Sequence, residues 1–159
     1  DKLENKKNLF PVYAFLFTTI GIPSIYYGSE WGIEGHKENG SDDGLRPAID
    51  LRTFKAPDPQ LEAFITKLAH IHARCPELSF GEQVELLLTN RQYAYARVYE
   101  GKACITILNN DEQEAQLNLR LPFAGTSCRD LITGDAVDME NGSIFRTIGG
   151  NSAAVLRLE

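Results

Sequence analysis

The second half of the chain, from about residue 78, is a series of short runs that are β-branched or alternate between apolar and polar residues. Turn-forming segments rich in Gly, Asn and Asp separate the runs, and these residues tolerate tight turns. The runs are VELLLTN, QYAYARVY, ACITILNN, AQLNLRL, TSCRDLI, SIFRTI and SAAVLRL. Short strands at regular spacing with such turns predict seven or eight strands in an antiparallel sandwich or barrel.

The beginning of the chain follows a different pattern. An apolar stretch starts after Asn8, a suitable N-cap, and ends at Gly21, which predicts a helix covered on most sides. Residues 22–27, IPSIYY, form a continuous apolar run typical of a parallel strand covered on both faces. After a long polar loop, Asp58 is predicted to cap a second helix, which Pro76 ends.

The order helix, strand, loop, helix is part of a parallel α/β architecture. A single βα unit cannot cover its own strand on both faces. We therefore predict two unlike parts, an incomplete α/β portion over residues 1–77 and an all-β antiparallel domain over residues 78–159.

The charges and the apolar segments limit the partners. The net charge of −6 disfavours a nucleic-acid partner, because phosphate binding needs clustered Lys and Arg. The 22 residues from Asn8 to Ser29 carry no charge and are long enough to span a bilayer. Pro11, Gly21 and Pro23 interrupt that stretch, so we predict no membrane span.

Cysteine and histidine usage argues against a disulfide framework and a metal centre. Cys75, Cys104 and Cys128 are odd in number and form no CxxC pair, and the three histidines lack a metal-ligand spacing. We expect no cofactor, no metal ion and a reducing, cytoplasmic setting.

Three segments resemble the α-amylase superfamily, family 13 of the glycoside hydrolases. GIPSIYYGSEWGIEG, residues 21–35, resembles the GxPxxYYGxE motif that closes the (β/α)8 barrel of that family. SDDGLRP resembles the family's loop in which an acidic residue lies four positions before an arginine, here Asp42 and Arg46. HIHARCPELSFGE is similar to the last barrel helix and the entry into the C-terminal β-sandwich. The most similar branch is the cyclomaltodextrinase, neopullulanase and maltogenic amylase type.

The resemblance implies that residues 1–77 are helix 7, strand 8 and helix 8 of a (β/α)8 TIM barrel and that the sandwich follows. The family's catalytic carboxylates lie on barrel strands four, five and seven, so no catalytic residue is carried onto this chain. We expect the C-terminal part of a retaining α-glucan hydrolase that is inactive alone. The alternative is a non-catalytic carbohydrate-binding or assembly β-sandwich module.

Four residues are candidates for binding an α-glucan or maltooligosaccharide, and each has a structural alternative. Asp42 and Arg46 match the family's pair at the donor sugar subsite, where an acceptor and a donor can bridge vicinal hydroxyls. The alternative is a surface ion pair, with Asp43 as the rival acid. Trp31 could stack on a sugar or anchor the loop. Glu30 could face a cleft, but a structural carboxylate that accepts bonds from loop backbone is favoured.

Two apolar surfaces bear on assembly. Tyr93, Tyr95 and Tyr99 share one face of a strand, which is either a sugar-binding surface or a face packed on the barrel or on a partner. An apolar strand without sheet neighbours is a pairing hazard. We therefore predict that residues 22–27 either self-associate, giving a homo-oligomer through this strand or the sandwich, or are buried against the sandwich.

Overall fold

Three helices precede eight strands in the computed structural model, which describes residues 5–123 and 125–158. The helices are α1 (Leu9–Thr18), α2 (Pro59–Arg74) and α3 (Pro76–Phe80). The strands are β1 (Glu82–Leu88), β2 (Gln92–Tyr99), β3 (Lys102–Asn109), β4 (Ala115–Arg120), β5 (Ser127–Asp130), β6 (Ala136–Asp138), β7 (Ser143–Ile148) and β8 (Ser152–Leu158).

Helix α1 is the predicted apolar helix, and it is short. It ends at Thr18, where Thr19 adopts an extended backbone and donates its N–H to the Phe15 carbonyl. Tyr13, Ala14 and Phe17 are buried, as expected of a helix covered on most sides. In the part of the chain that the structure describes, no helix is both long and apolar enough to cross a membrane.

Helix α2 begins at the predicted cap. The Asp58 carboxylate accepts the backbone N–H groups of Gln60 and Leu61, and Pro59 occupies the first turn, where its missing N–H is not needed. The helix buries one stripe against the rest of the chain, formed by Leu61, Ile65, Leu68 and Ile71. It ends at Arg74 because Cys75, which precedes Pro76, is held extended.

The predicted strand at residues 22–27 does not form in this chain. This segment connects α1 to the next turn without joining any sheet of the described residues. A parallel strand forms only when neighbouring strands accept and donate its backbone hydrogen bonds, and apolar sequence cannot supply them. Ile22 is 93% exposed and Tyr26 and Tyr27 are also exposed, so the sandwich does not bury the segment. Self-association through it stays a prediction.

The strands form the predicted antiparallel sandwich. A six-stranded sheet has the order β1-β2-β3-β8-β5-β6, and a two-stranded sheet pairs β4 with β7. All the pairings are antiparallel. The two sheets enclose one core, which contains Ala94, Ile105, Ile107, Leu119, Ile144 and Leu156.

The other face of the six-stranded sheet is covered by helices. Tyr95, Cys104 and Val155 point to this side and share a core with α1 and α2. Because successive side chains of a strand point to opposite faces, the central strands are buried on both sides, and nearly every residue of β3 is buried. Helices, large sheet and small sheet therefore make three layers, which explains the continuous apolar run ACITIL.

Candidate functional site

The four candidate residues lie in the loop between α1 and α2. A single 3-10 turn, Ser29–Trp31, carries Glu30 and Trp31 and is flanked by Gly28 and Gly32. Both glycines have left-handed backbone, with φ of 89° and 65°, a conformation that other residues adopt only at a cost. The two glycines thus allow sharp turns of the chain before and after Glu30 and Trp31.

Trp31 anchors the loop to the start of α2. Its Nε1–H donates to Glu62 Oε1 at 3.1 Å, and its ring centroid lies 4.7 Å from that of Phe54. The Trp31 carbonyl accepts the N–H of Asp58, the residue that caps α2. The structure therefore shows the loop-anchor role, and stacking on a sugar stays a prediction.

Glu30 lies beneath α1, next to Tyr13. The pKa of Tyr13 is raised mainly by burial, with a hydrogen bond from Ser29 opposing that rise and the Glu30 charge adding to it. Glu30 Oε2 is buried and has no hydrogen-bond partner within residues 5–123 and 125–158. The predicted bonds from loop backbone do not reach this oxygen, which leaves a carboxylate that needs a donor.

Asp42 and Arg46 form the expected pair, but on the surface. Asp42 Oδ2 is 3.6 Å from Arg46 Nη2, while Asp42 Oδ1 lies closer to Lys37 Nζ, at 2.9 Å. The side chains of Asp42 and Arg46 are 41% and 61% exposed, so the ion pair itself adds little stability. The rival acid, Asp43, begins a 3-10 turn, and its N–H donates to Ser41 Oγ.

The loop folds back on itself at two glycines. A Cβ at Gly35 would collide with the carbonyl oxygen of Gly44, and a Cβ at Gly44 would collide with the carbonyl oxygen of His36. This close backbone approach requires glycine at both positions. Next to Arg46 in the sequence, the Pro47 carbonyl accepts a long hydrogen bond from the hydroxyl of the exposed Tyr27.

Of the four candidates, the structure brings together Asp42 and Arg46. Glu30 and Trp31 lie apart from them, in the Ser29–Trp31 turn. Arg46 is close enough to influence Tyr27, which also contacts Tyr26 ring to ring at 4.7 Å. These side chains form an exposed surface of two phenols, a guanidinium and a carboxylate. We name Tyr26, Tyr27, Asp42 and Arg46 the tyrosine–arginine surface.

The tyrosine stripe on β2 is a packing face. Tyr95 is fully buried, with its ring centroid 6.0 Å from that of Phe15 on α1 and 5.0 Å from that of Tyr93. Tyr99, at the far end, lies against Phe80 of α3. Of the two predicted roles, packing against the helical portion is the one observed.

A buried polar network that sequence reasoning missed joins this face to α1. The Thr18 hydroxyl donates to the Ala14 carbonyl at 2.6 Å, so the Tyr95 hydroxyl, 2.6 Å away, donates to Thr18 Oγ1. Arg97 donates to the Gly81 carbonyl through Nε and Nη2, at 3.1 and 2.9 Å, and to the Thr18 carbonyl through Nη1, at 3.1 Å. The only feature of the sequence that pointed to this network is that Arg97 shares a strand face with the tyrosines.

Tyr95 makes the fold sensitive to alkali. Burial raises the pKa of Tyr95 from 10.0 to about 12. Between these pH values the unfolded chain releases the phenolic proton and the folded chain keeps it, so stability falls as pH rises. The Tyr95 contribution is complete below about pH 10 and is lost by about pH 12.

We expect the urea midpoint of the chain to fall more steeply between these pH values than that of Tyr95→Phe. Phenylalanine keeps the ring packing, and the Thr18 hydroxyl keeps its bond to Ala14. Tyr13, whose pKa is also raised, is present in both proteins, so its contribution cancels in the comparison. Parallel pH profiles for the two proteins would contradict the assignment.

The described side chains contain no group of three or more His, Cys, Asp or Glu residues placed to hold a metal ion. Comparisons with known proteins show which proteins the chain resembles. Residues 84–154 match the family model described as "Maltogenic Amylase, C-terminal domain".

Sequence and structure comparisons extend the likeness toward the N-terminus. A cyclomaltodextrinase of Thermoanaerobacter pseudethanolicus is 34% identical over 101 residues, which are 64% of this chain and 17% of that enzyme. The crystal structure of an Anoxybacillus α-amylase superimposes with a TM-score of 0.83 at 26% identity, covering 96% of this chain and 32% of that one. AmyP in complex with maltotriose shares the fold, with a TM-score of 0.84 at 20% identity, over 96% of this chain and 35% of that one.

The chain thus spans about a third or less of the proteins that it matches. The predicted resemblance is confirmed by the family model, by the cyclomaltodextrinase and by the amylase fold. These findings support the resemblance of the chain to the C-terminal portion of enzymes of the α-amylase superfamily, glycoside hydrolase family 13.

Proposed function

We propose that this chain is the supporting C-terminal part of a retaining α-glucan hydrolase, in which residues 1–77 complete a (β/α)8 barrel and residues 78–159 form the stabilising sandwich. The observation that carries the proposal is the contrast between the two sides of the N-terminal portion. One side packs on the sandwich through buried apolar and polar contacts, while the other presents an exposed apolar segment at residues 22–27.

The exposed side has the properties of a barrel strand without its neighbours. Ile22, Tyr26 and Tyr27 are exposed, and Glu30 has a buried carboxylate oxygen that lacks a donor. Neighbouring strands of the longer enzyme would pair with this segment, and their side chains would supply the missing donor. The exposed apolar side chains and the unpartnered Glu30 oxygen support the assignment of residues 22–27 as barrel strand eight.

The catalytic carboxylates are proposed to lie outside this chain. Retaining hydrolysis needs two carboxyl groups about 5–5.5 Å apart, one as nucleophile and one as acid. Three acids of the loop serve other contacts instead. Glu34 pairs with Lys6, Asp50 pairs with Arg52, and Asp42 is shared between Lys37 and Arg46.

The tyrosine–arginine surface is the proposed contribution to substrate binding. Asp42 can accept and Arg46 can donate a hydrogen bond to adjacent sugar hydroxyls, and tyrosine rings suit the apolar face of a sugar. The likeness to AmyP in complex with maltotriose favours a maltooligosaccharide as the ligand in the longer enzyme. Trp31 is then a positioning residue that holds the loop through Glu62 and Phe54.

The test is turnover of a chromogenic maltoside together with titration of maltotriose into this chain. Trp31 is the single tryptophan, so fluorescence reports on the loop. We expect no turnover and no saturable fluorescence change, because the chain has only one edge of the proposed subsite. Turnover that Glu30→Gln abolishes would overturn the proposal, and tight maltotriose binding would favour the carbohydrate-binding module instead.

An assembly role is the second candidate, favoured by the exposure of residues 22–27. It predicts a concentration-dependent dimer in analytical ultracentrifugation, and Ile22→Lys would dissolve it. We also propose a cytoplasmic location, supported by three buried cysteines that are not joined in a disulfide in the described part of the chain.

A further inference from the structure

Two of the three cysteines meet at the contact between the helices and the large sheet. Cys75 joins α2 to α3, and Cys104 lies near the start of β3 on the face that points to the helices. Both are buried in the same core, where α3, which follows Cys75 directly, packs against β3. Cys128 lies in the separate core between the two sheets.

The thiol pair has a cation beside it. Cys104 is the register partner of Arg97 on β2 and of Arg157 on β8, and directly opposed residues of adjacent strands share a face. Arg97 is committed to backbone carbonyls, while Arg157 bonds Glu77 Oε1 at 2.9 and 3.2 Å. Glu77 is buried, and its Oε2 has no hydrogen-bond partner in the described part of the chain.

Cys75 is the member of the pair that solvent can approach. A cavity of about 530 Å³ opens between α2 and the sandwich, and Cys75 lines it. The basic side chains around it belong to Lys67, His70, Arg74 and Arg157, whereas Cys104 is not part of the lining. A small oxidant that enters the cavity therefore meets the Cys75 sulfur first.

The electrostatics favour the same order of reaction. Interaction with the Cys104 thiol lowers the pKa of Cys75, assisted by Arg157 and opposed by burial and by Glu77. Interaction with Cys75 and burial raise the pKa of Cys104. Because the thiolate is the nucleophile, Cys75 is suited to attack and Cys104 to follow as a thiol.

We propose that Cys75 and Cys104 are an oxidation site at which hydrogen peroxide forms an intramolecular disulfide. The Cys75 thiolate attacks one peroxide oxygen, the O–O bond breaks, and the departing hydroxide takes a proton to become water, which leaves Cys75 as a sulfenic acid. The Cys104 sulfur then attacks the Cys75 sulfur, the S–O bond breaks, and the Cys104 proton leaves with the hydroxide as a second water. Two thiols are oxidised, and one peroxide is reduced to two waters.

The disulfide would join the α2–α3 connection to the helix-facing side of the large sheet. Such a link restricts the unfolded chain, so it raises the thermal unfolding midpoint of the oxidised protein above that of the reduced protein. The site would thereby let oxidising conditions lock the helical portion onto the sandwich.

The first test treats the folded chain with hydrogen peroxide, blocks the remaining thiols and maps peptides by mass spectrometry without reduction. We expect a loss of two hydrogens, one linked Cys75–Cys104 peptide, and Cys128 recovered as a thiol. Cys128→Ser is the matched control and should give the same linked peptide. A link to Cys128, a link between chains, or three unmodified thiols would each overturn the proposal.

The second test separates the two roles. In Cys104→Ser, the sulfenic acid at Cys75 has no resolving thiol and should be trapped by dimedone. In Cys75→Ser, both the link and the dimedone adduct should be lost. An adduct at Cys104 in Cys75→Ser that forms as fast as the Cys75 adduct would contradict the assigned order, and the mapping of the unsubstituted chain stands whether or not these variants fold.

Discussion

Arg97→Ala is expected to lower the free energy of unfolding by roughly 3–4 kcal/mol. The Arg97 side chain is 2% exposed and supplies the donors for the Gly81 and Thr18 carbonyls, as described above. Removing it leaves buried acceptors without a donor and opens a cavity between β2, α1 and α3. The measurement is urea unfolding followed by circular dichroism.

Two comparisons isolate the hydrogen bonds of Arg97. Arg120→Ala removes an exposed arginine from β4 and should change stability by less than about 0.5 kcal/mol. Arg97→Lys should fall between the two, because an ammonium group lacks the planar fork that reaches two carbonyls at once. Equal losses for Arg97→Ala and Arg120→Ala would mean that other donors, such as water, satisfy Gly81 and Thr18.

The sandwich could be predicted because its strands and turns are marked by residues that are close together in the sequence. Turn residues punctuate the strands, and alternation within Tyr93–Tyr99 fixes which side chains share a face. The brief strand β6, Ala136–Asp138, lacks such a pattern and was not among the predicted runs. Its pairing with β5 depends on where the chain returns after a turn, which local sequence does not specify.

The helices and the segment between them show that a local sequence pattern does not determine conformation that depends on distant contacts. Pro76 was interpreted as the end of the second helix, and it also begins α3 at the first helical position, where proline is well tolerated. Residues 22–27 have the composition of a buried strand, but a strand depends on partners distant in sequence. Composition therefore predicted the apolar character of this segment and not its conformation.

The candidate site was predictable only in part for the same reason. The spacing of Asp42 and Arg46 indicated their ion pair, whereas the competing contact of Asp42 with Lys37 depends on how the loop folds back. The choice between stacking and anchoring for Trp31 depends on Glu62 of α2, which lies 31 positions away. The Glu77–Arg157 pair spans 80 positions, and nothing in either local sequence connects them.

The boundary predicted between residues 77 and 78 separates two sequence patterns. The packing crosses this boundary, so we expect the helices and the sandwich to unfold together. Leu68 of α2 is fully buried in a core that includes Tyr95, Cys104 and Val155 of the large sheet. We expect Leu68→Ala to lower the free energy of unfolding by about 3 kcal/mol, because the truncated side chain leaves a cavity that both parts line. Trp31 fluorescence reports on the helical side and far-ultraviolet circular dichroism reports on the strands.

If helices and sandwich fold as one cooperative unit, both signals should shift to the same lower urea concentration in Leu68→Ala. Leu51→Ala, which truncates an exposed leucine of the loop, is the control and should leave both midpoints within about 0.5 kcal/mol of the original. A Leu68→Ala chain in which only the fluorescence midpoint moves would show that the sandwich is stable without the helices. In that case the Arg97 contacts across the same surface would position the two parts without coupling their stability.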